Sequence, residues 1–262
     1  MDRHWRTRSR LAGLALAFGL WALVAPTAAA GPREQAKRMH DQLVGVPPSD
    51  TVLAAMQASI SGGDPLGAAN IAMADPVFYK SALKNWVTPW TNVPGNVFSD
   101  LNDYTATVIG MVRDDVPFNT VLSADLVYTG APGVVSAGYS QTDNLHYQQL
   151  EQQDVDLSDP NKFVGRMQST LPGSVLNASE TAGVVTTRAA SGNGAKSLGV
   201  EVGMSRAFSE CQVTKVFERV CMHPPTGQAD YDEVQRIANV FEANNYSLKR
   251  VFAETAVYCM GN

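Results

Sequence analysis

The sequence predicts a mainly α-helical fold: an N-terminal multi-helix domain, a Gly/Ser/Pro-rich middle segment and a C-terminal three-helix bundle. Three observations predict it. Apolar residues recur at three- and four-residue spacing in several segments between residues 33 and 128, and again between 205 and 260. Helix-start punctuation separates those segments. The stretch between them is broken by TGAPGVVSAG, LPGSV and AASGNGAKSLG, which read as loop. The expected organisation is a signal peptide over 1–30, an N-terminal helical domain over 31–130, an irregular middle segment or linker over 131–204 and a C-terminal three-helix domain over 205–262.

Residues 1–30 stand apart. Arg3, Arg6, Arg8 and Arg10 precede the apolar run LAGLALAFGLWALVA, and APTAAA closes with small residues. That order is the grammar of a secretory signal peptide cleaved near Ala30. The run is shorter than the roughly 20 residues a spanning helix needs. Cleavage takes away four Arg and one Asp and moves the formal charge from −5 to −8. An acidic chain lacks the Lys/Arg surplus that phosphate binding requires, so nucleic acid is excluded as a sequence-independent partner. No later apolar run is long enough to insert stably in a membrane. The expected location is the periplasm, or the cell envelope more broadly. Apolar residues make up 45% of the chain, enough for a real core rather than disorder.

The mature N-terminal half reads as successive helices. REQAKRMHDQLVG places Met39, Leu43 and Val44 in register and stops at VPP. Ser49 or Asp50 is placed to cap TVLAAMQASI, because a side-chain oxygen there accepts an orphan N–H of the first turn. Asp64-Pro65, Asp75-Pro76 and Asp159-Pro160 repeat one device, Asp as cap and Pro at the first helical position. PVFYKSALKNWV carries Phe78, Ala82 and Trp86 at i, i+4 and i+8. After the loop TPWTNVPGN, VFSDLNDYTATVIGMVRDD reads as a helix with Leu101, Tyr104, Val108, Met111 and Val112 on one face. PFNTVLSADLVY reads as a shorter helix. YSQTDNLHYQQLEQQDVDLSD is polar and expected at the surface, and GVVTTRA reads as a short strand or a buried extended stretch.

The C-terminal block carries all three cysteines. Its first helix has an apolar stripe of Phe208, Cys211, Val213, Val216, Phe217, Val220 and Cys221, stopped by Pro224-Pro225. Asp230 and Glu233 form a capping-box-like start for the second, whose face is Tyr231, Val234, Ile237, Ala238 and Phe241. Asn244-Asn245 ends it, and Ser247 caps a third helix with Leu248, Val251, Phe252, Thr255 and Cys259 aligned. Short connections favour antiparallel neighbours, which puts Cys221 and Cys259 at one pole. Cys211 and Cys221 lie about 15 Å apart along one helix, beyond the roughly 7 Å a disulfide spans. Cys221–Cys259 is therefore the preferred bridge, with Cys211–Cys259 the alternative; a Cys211 left over reads as a buried thiol.

The block resembles the C-terminal domain of a family of large exported, cytochrome-c-associated proteins found in planctomycetes and proteobacteria. The matching words are FSEC (208–211), the break HPPTGQAD, the closing NYSLKRVFAETAVYC and the lead-in GNGAKSLGVEV. The N-terminal part is similar to a companion domain of the same proteins through DQLVGVPPSD, DPVFYKSALKNWVTPWTN, LNDYTATVIGMVRDDVPFNTVLSADLVYTG and AGVVTTRA. The resemblance spans most of residues 34–260. Longer relatives carry Cys-x-x-Cys-His haem-attachment motifs in a central section, and this chain has none. The resemblance implies a shortened member without the haem segment, with an exported cytochrome or oxidoreductase as partner. It implies no settled reaction.

Candidate chemistry is sparse. Cys221-Met222-His223 has Glu218 where a haem motif needs Cys, and a zinc site would need Cys211 or Cys259 to converge on it. GNGAKS (192–197) lacks the Gly-Lys pair of a phosphate loop, Ala195 standing before Lys196. Asp100, Asn102 and Asp103 lack the Gly and closing Glu of a calcium loop, and helix capping explains them better. Asp114-Asp115 could act as an acid–base pair, with a solvated helix end as the plainer reading. Trp86 and Trp90 read first as interhelical packing and second as a binding surface. His40, His146 and His223 are the histidines left after cleavage. No catalytic residue, metal ligand or cofactor is assigned. The expected function is an exported, non-catalytic helical accessory or binding protein associated with a haem or redox partner. The alternatives are an enzyme of unrecognised type or a thiol-based redox protein. N-terminal sequencing of the exported protein is expected to begin at Gly31; a membrane-bound form retaining Met1 would instead identify an anchor.

Overall fold

The computed structural model describes residues 30–135, 144–171 and 195–261. They are mainly helical, as the periodicity requires, with a single two-stranded sheet. Residues 1–29 of the expected signal peptide (1–30) and the strand candidate GVVTTRA lie outside the described residues.

The first three helices are α1 (Pro32–Val44), α2 (Asp50–Ser61) and α3 (Pro65–Met73). Gly45, at φ 84°, ends α1 in the left-handed conformation that only glycine adopts without cost. Ser49 caps α2 by accepting from the Val52 N–H, and Asp64 caps α3 by accepting from Gly67. After Asp75-Pro76 the chain does not form a plain α-helix. A π-helical segment, Phe78–Leu83, runs into α4 (Lys84–Val87) and a 3-10 turn, Thr88–Trp90. The buried residues here come in pairs four apart: Phe78/Tyr79, Ala82/Leu83, Trp86/Val87. An α-helix has 3.6 residues per turn, so such pairs drift steadily around it. The wider π turn cancels that drift and keeps every pair facing the core.

Helix α5 (Asp103–Arg113) starts later than the sequence suggests. Asn102 caps it through the Thr105 N–H, and the preceding residues form a loop. All eight residues from Thr105 to Val112 are buried. The helix expected over 117–128 is absent: a 3-10 turn, Phe118–Thr120, leads through turns into strand β1 (Val127–Gly130). Tyr128 lies flat on α5 at Gly110, where a Cβ would stand 2.1 Å from its ring. That approach, with the β-branched residues around it, overrides helix propensity. β1 pairs antiparallel with β2 (Phe163–Arg166), Tyr128 opposite Gly165.

The middle segment is not structureless. It holds α6 (Asn144–Gln152), β2 and α7 (Ala195–Gly203). α6 is not a polar surface strip, since His146, Tyr147 and Leu150 are buried on its inner face. Asp159-Pro160 opens a turn into β2 rather than a helix. Ala195, Lys196 and Ser197 of the loop candidate form the first turn of α7, and 192–194 lie outside the described residues.

Helices α8 (Arg206–Cys221), α9 (Gly227–Ala243) and α10 (Leu248–Cys259) pack mutually as a three-helix unit. Ser205 and Ser247 cap the first and third. α9 begins one turn earlier than the sequence suggested, at Gly227, with Thr226 before it. Asp230 reaches back to accept from the Thr226 N–H at 2.8 Å and also takes the Tyr258 hydroxyl at 2.8 Å. Asn245 and Tyr246, both left-handed, make the turn into α10. Tyr231 falls on the solvent side of α9, outside the stripe Val234, Ile237, Ala238, Phe241.

The three-helix unit is not isolated. α10 also packs on α1, α3 and α5, and its residues Val251 to Ala256 are buried all round. Phe252 meets Phe78 at 5.4 Å and Trp86 at 5.1 Å, edge to face, so one core runs through both helical blocks. Cys221 and Cys259 stand at disulfide distance at one pole, with Cα atoms 5.5 Å apart. Cys211 is exposed rather than buried, because the inward rows of α8 are Phe208/Ser209, Gln212/Val213 and Val216/Phe217. A bridge closing a loop of this length, 38 residues, stabilises by about 3–4 kcal/mol. Non-reducing mass spectrometry is expected to show one disulfide and one free thiol. The Cys221→Ser/Cys259→Ser double variant is expected to lose about that much stability in a urea melt, and three free thiols in the native protein would contradict it.

Candidate functional site

The loop between the 3-10 turn and α5 frames an open groove of about 590 Å³. Its floor is set by short-range bonds dictated by the sequence. Thr91 Oγ1 donates to the Thr88 carbonyl, and Asn92 Nδ2 donates to the carbonyls of Thr88 and Asn96. Pro94-Gly95 closes the turn, with the Gly95 N–H donating to Asn92 at 3.1 Å and Gly95 at φ 61°. Asn102 joins the two ends: its Oδ1 caps α5 while its Nδ2 donates to Thr91 Oγ1 at 2.8 Å.

The opposite wall is α6. Gln148 donates to Asp100 at 2.9 Å, and Glu151 accepts the Leu101 N–H at 2.8 Å while pairing with Lys84. Asn144 completes the rim. Leu101 also walls a second, smaller hollow of about 220 Å³ on the side of Lys80, Lys84 and Asp154, where Lys80 and Asp154 form an ion pair.

Two candidates that the sequence offered separately meet here. Asp100, Asn102 and Asp103 line the groove together with Trp90 and Tyr104. Trp86 and Trp90 divide the readings between them. Trp86 is packing: it is buried, donates Nε1–H to the Lys215 carbonyl at 3.1 Å and meets Phe252 edge-on. Trp90 is half-buried at the groove, with Lys215 Nζ 3.9 Å over its ring. Burial pushes the Tyr104 phenol above its ordinary value.

The remaining candidates are held apart. Asp114 pairs with Arg113 at 2.7 Å and takes the Tyr128 hydroxyl at 2.8 Å. Partial burial pushes its carboxyl up, but those hydrogen bonds outweigh burial and hold it below the ordinary range. Asp115, left-handed at φ 55°, instead accepts from the Ser247 hydroxyl. Met222 turns away as the left-handed end of α8, and His223 bonds the neighbouring Pro224 carbonyl. His40 is fully buried, with Nδ1 2.9 Å from the Val46 carbonyl and Nε2 3.7 Å from Asp75. His146 accepts the Gly130 N–H on Nε2 at 3.0 Å; burial, then the nearby Arg166 charge, lowers its pKa. Among the described residues no three His, Cys, Asp or Glu side chains are arranged to hold a metal ion.

The α6 wall escaped the sequence reading. Its signal was the spacing of His146, Tyr147 and Leu150, an inward face inside a polar segment. Comparison with models of known protein families, with curated proteins and with solved structures finds no match to this chain.

A lowered folded-state pKa for His146 means that the unfolded chain takes up the proton first as pH falls below the reference value of 6.5. Stability is thus complete above 6.5 and is lost as pH drops from there toward the folded value. Urea melts between pH 7.5 and 5 are expected to show this loss, and His146→Gln, which keeps an acceptor for Gly130, is expected to flatten it. An unchanged pH slope in that variant would contradict the assignment.

Proposed function

We propose that this chain is an exported, non-catalytic helical binding protein that serves as an accessory to a haem-carrying or other redox partner. The observation that carries the reading is the face made by the loop 91–102. Val93 and Phe98 are almost wholly exposed there, with Val97 beside them, next to the open polar groove. Three exposed apolar side chains within one short loop offer a contact surface.

Four titratable groups away from the groove add support. Asp114, Asp115, His40 and His146 are each engaged in bonds that hold the fold, and none of them lines the groove. The partner's class rests on the sequence resemblance: the matching segments occur in the family's order, while the haem-attachment motif is missing from this chain. Residues 1–30 support export. One observation favours a second reading, a thiol-based redox role: Cys211 is exposed on α8.

Affinity capture from the periplasmic fraction, followed by haem staining, tests both. The wild-type chain is expected to retain a haem-staining protein without forming a covalent adduct. Val93→Ser/Phe98→Ser is expected to lose it at unchanged melting temperature. Failure of the wild type to retain any haem protein would overturn the partner assignment. A reductant-sensitive adduct that disappears in Cys211→Ser would favour the thiol reading.

A further inference from the structure

The lining of the groove narrows the chemistry of what it can hold. At about 590 Å³ it falls within the range of small-molecule sites. Among the described residues no Lys or Arg lines it, so an anionic ligand would find no counter-charge from them. A cationic ligand would meet a like charge beside the groove, since Lys215 Nζ lies 3.9 Å over the Trp90 ring.

What remains is a wall of amides and oxygen acceptors between two aromatic side chains, Trp90 and Tyr104. Asn92 and Asn102 are fixed by bonds to the loop itself, which pre-orients them before any ligand arrives. Gln148 donates one of its two amide N–H groups to Asp100, which leaves its carbonyl as an acceptor and the second N–H as a donor. Asp100 and Asp103 are acceptor-only groups when ionised. The surplus of acceptors calls for a ligand rich in O–H donors, and the aromatic rings call for one with an apolar C–H face. A sugar ring offers both.

We propose that the groove is a saccharide-binding site for a neutral sugar of one to a few rings, held between Trp90 and Tyr104 and hydrogen-bonded by Asn144, Gln148 and Asp100. The inference rests on reading the chain as a binding protein, and it supplies the groove's ligand, whereas the partner contacts the neighbouring loop.

The test uses the full exported chain with maltohexaose, cellohexaose, chitohexaose and xylohexaose as probes, and spermidine as the competing organic cation. Titration calorimetry and saturation-transfer NMR read binding. At least one hexasaccharide is expected to bind saturably, with Kd on the order of 1 mM or tighter. Gln148→Ala and Asn144→Ala are each expected to weaken it about fivefold, the worth of one lost hydrogen bond. Tyr104→Ala is expected to weaken it further, with thermal melts showing that each variant is folded. Val93→Ser/Phe98→Ser is expected to leave sugar binding unchanged, so loss of the partner and loss of the sugar fail separately. No saturable binding by any hexasaccharide, binding indifferent to Gln148→Ala and Asn144→Ala, or spermidine binding in place of the sugars would each overturn the proposal.

Discussion

The described fold turns on one buried cation. Arg113 closes α5 with its side chain almost wholly out of solvent. Its guanidinium lies 5.5 Å from the ring centres of both Tyr128 and Phe163, so it is stacked across the two strands. Nη1 donates to the Phe163 carbonyl at 2.6 Å, and at longer range to those of Leu157 and Asp159. The other edge of the fork grips Asp114, which in turn takes the Tyr128 hydroxyl. A buried charge is tolerable only when it is paired and its donors are satisfied, and here every part of the fork is used. One residue thereby fastens a short two-stranded sheet, marginal by itself, to the helical body. Tyr79 from the π segment closes the cluster; burial, set slightly against the Arg113 charge, pushes its phenol up to about 12.

Much of the helical architecture was legible in the sequence, and the reasons are local. Ser49, Asp64 and Ser247 cap their helices as short-range chemistry requires. The π segment was half-legible: the apolar pairs Phe78/Tyr79, Ala82/Leu83 and Trp86/Val87 announce a buried face, and their period of four was the trace of the wide turn. β1 and β2 were not legible because each is four residues long and takes its stability from a partner more than thirty positions away. No window over 117–128 contains Phe163 or the Gly110 cradle that receives Tyr128. Cys211 was misplaced because one apolar stripe was drawn where the helix buries two adjacent rows.

The candidate site shows the same division. The cap at Asn102, the Pro94-Gly95 turn and the half-buried Trp90 are all written locally. Their assembly into a groove needs α6, and α6 is joined to the loop by Gln148–Asp100 and by Glu151, which holds both Leu101 and Lys84. The sequence supplied one wall without showing that the second stood about fifty residues away.

Helix α10 carries a consequence for how the protein comes into being. It is the hub on which α1, α3, α5, α8 and α9 all close, and it is made after every one of them. Until it emerges, the apolar faces of the earlier helices have no permanent cover, so assembly waits on contacts between the two ends of the chain. Such late, long-range closure slows folding and lengthens the time a nascent chain stays open. Under the export proposed above, that delay would keep the chain open for passage across a membrane. The Cys221–Cys259 link, joining the ends of α8 and α10, can lock the fold only after the last helix has arrived.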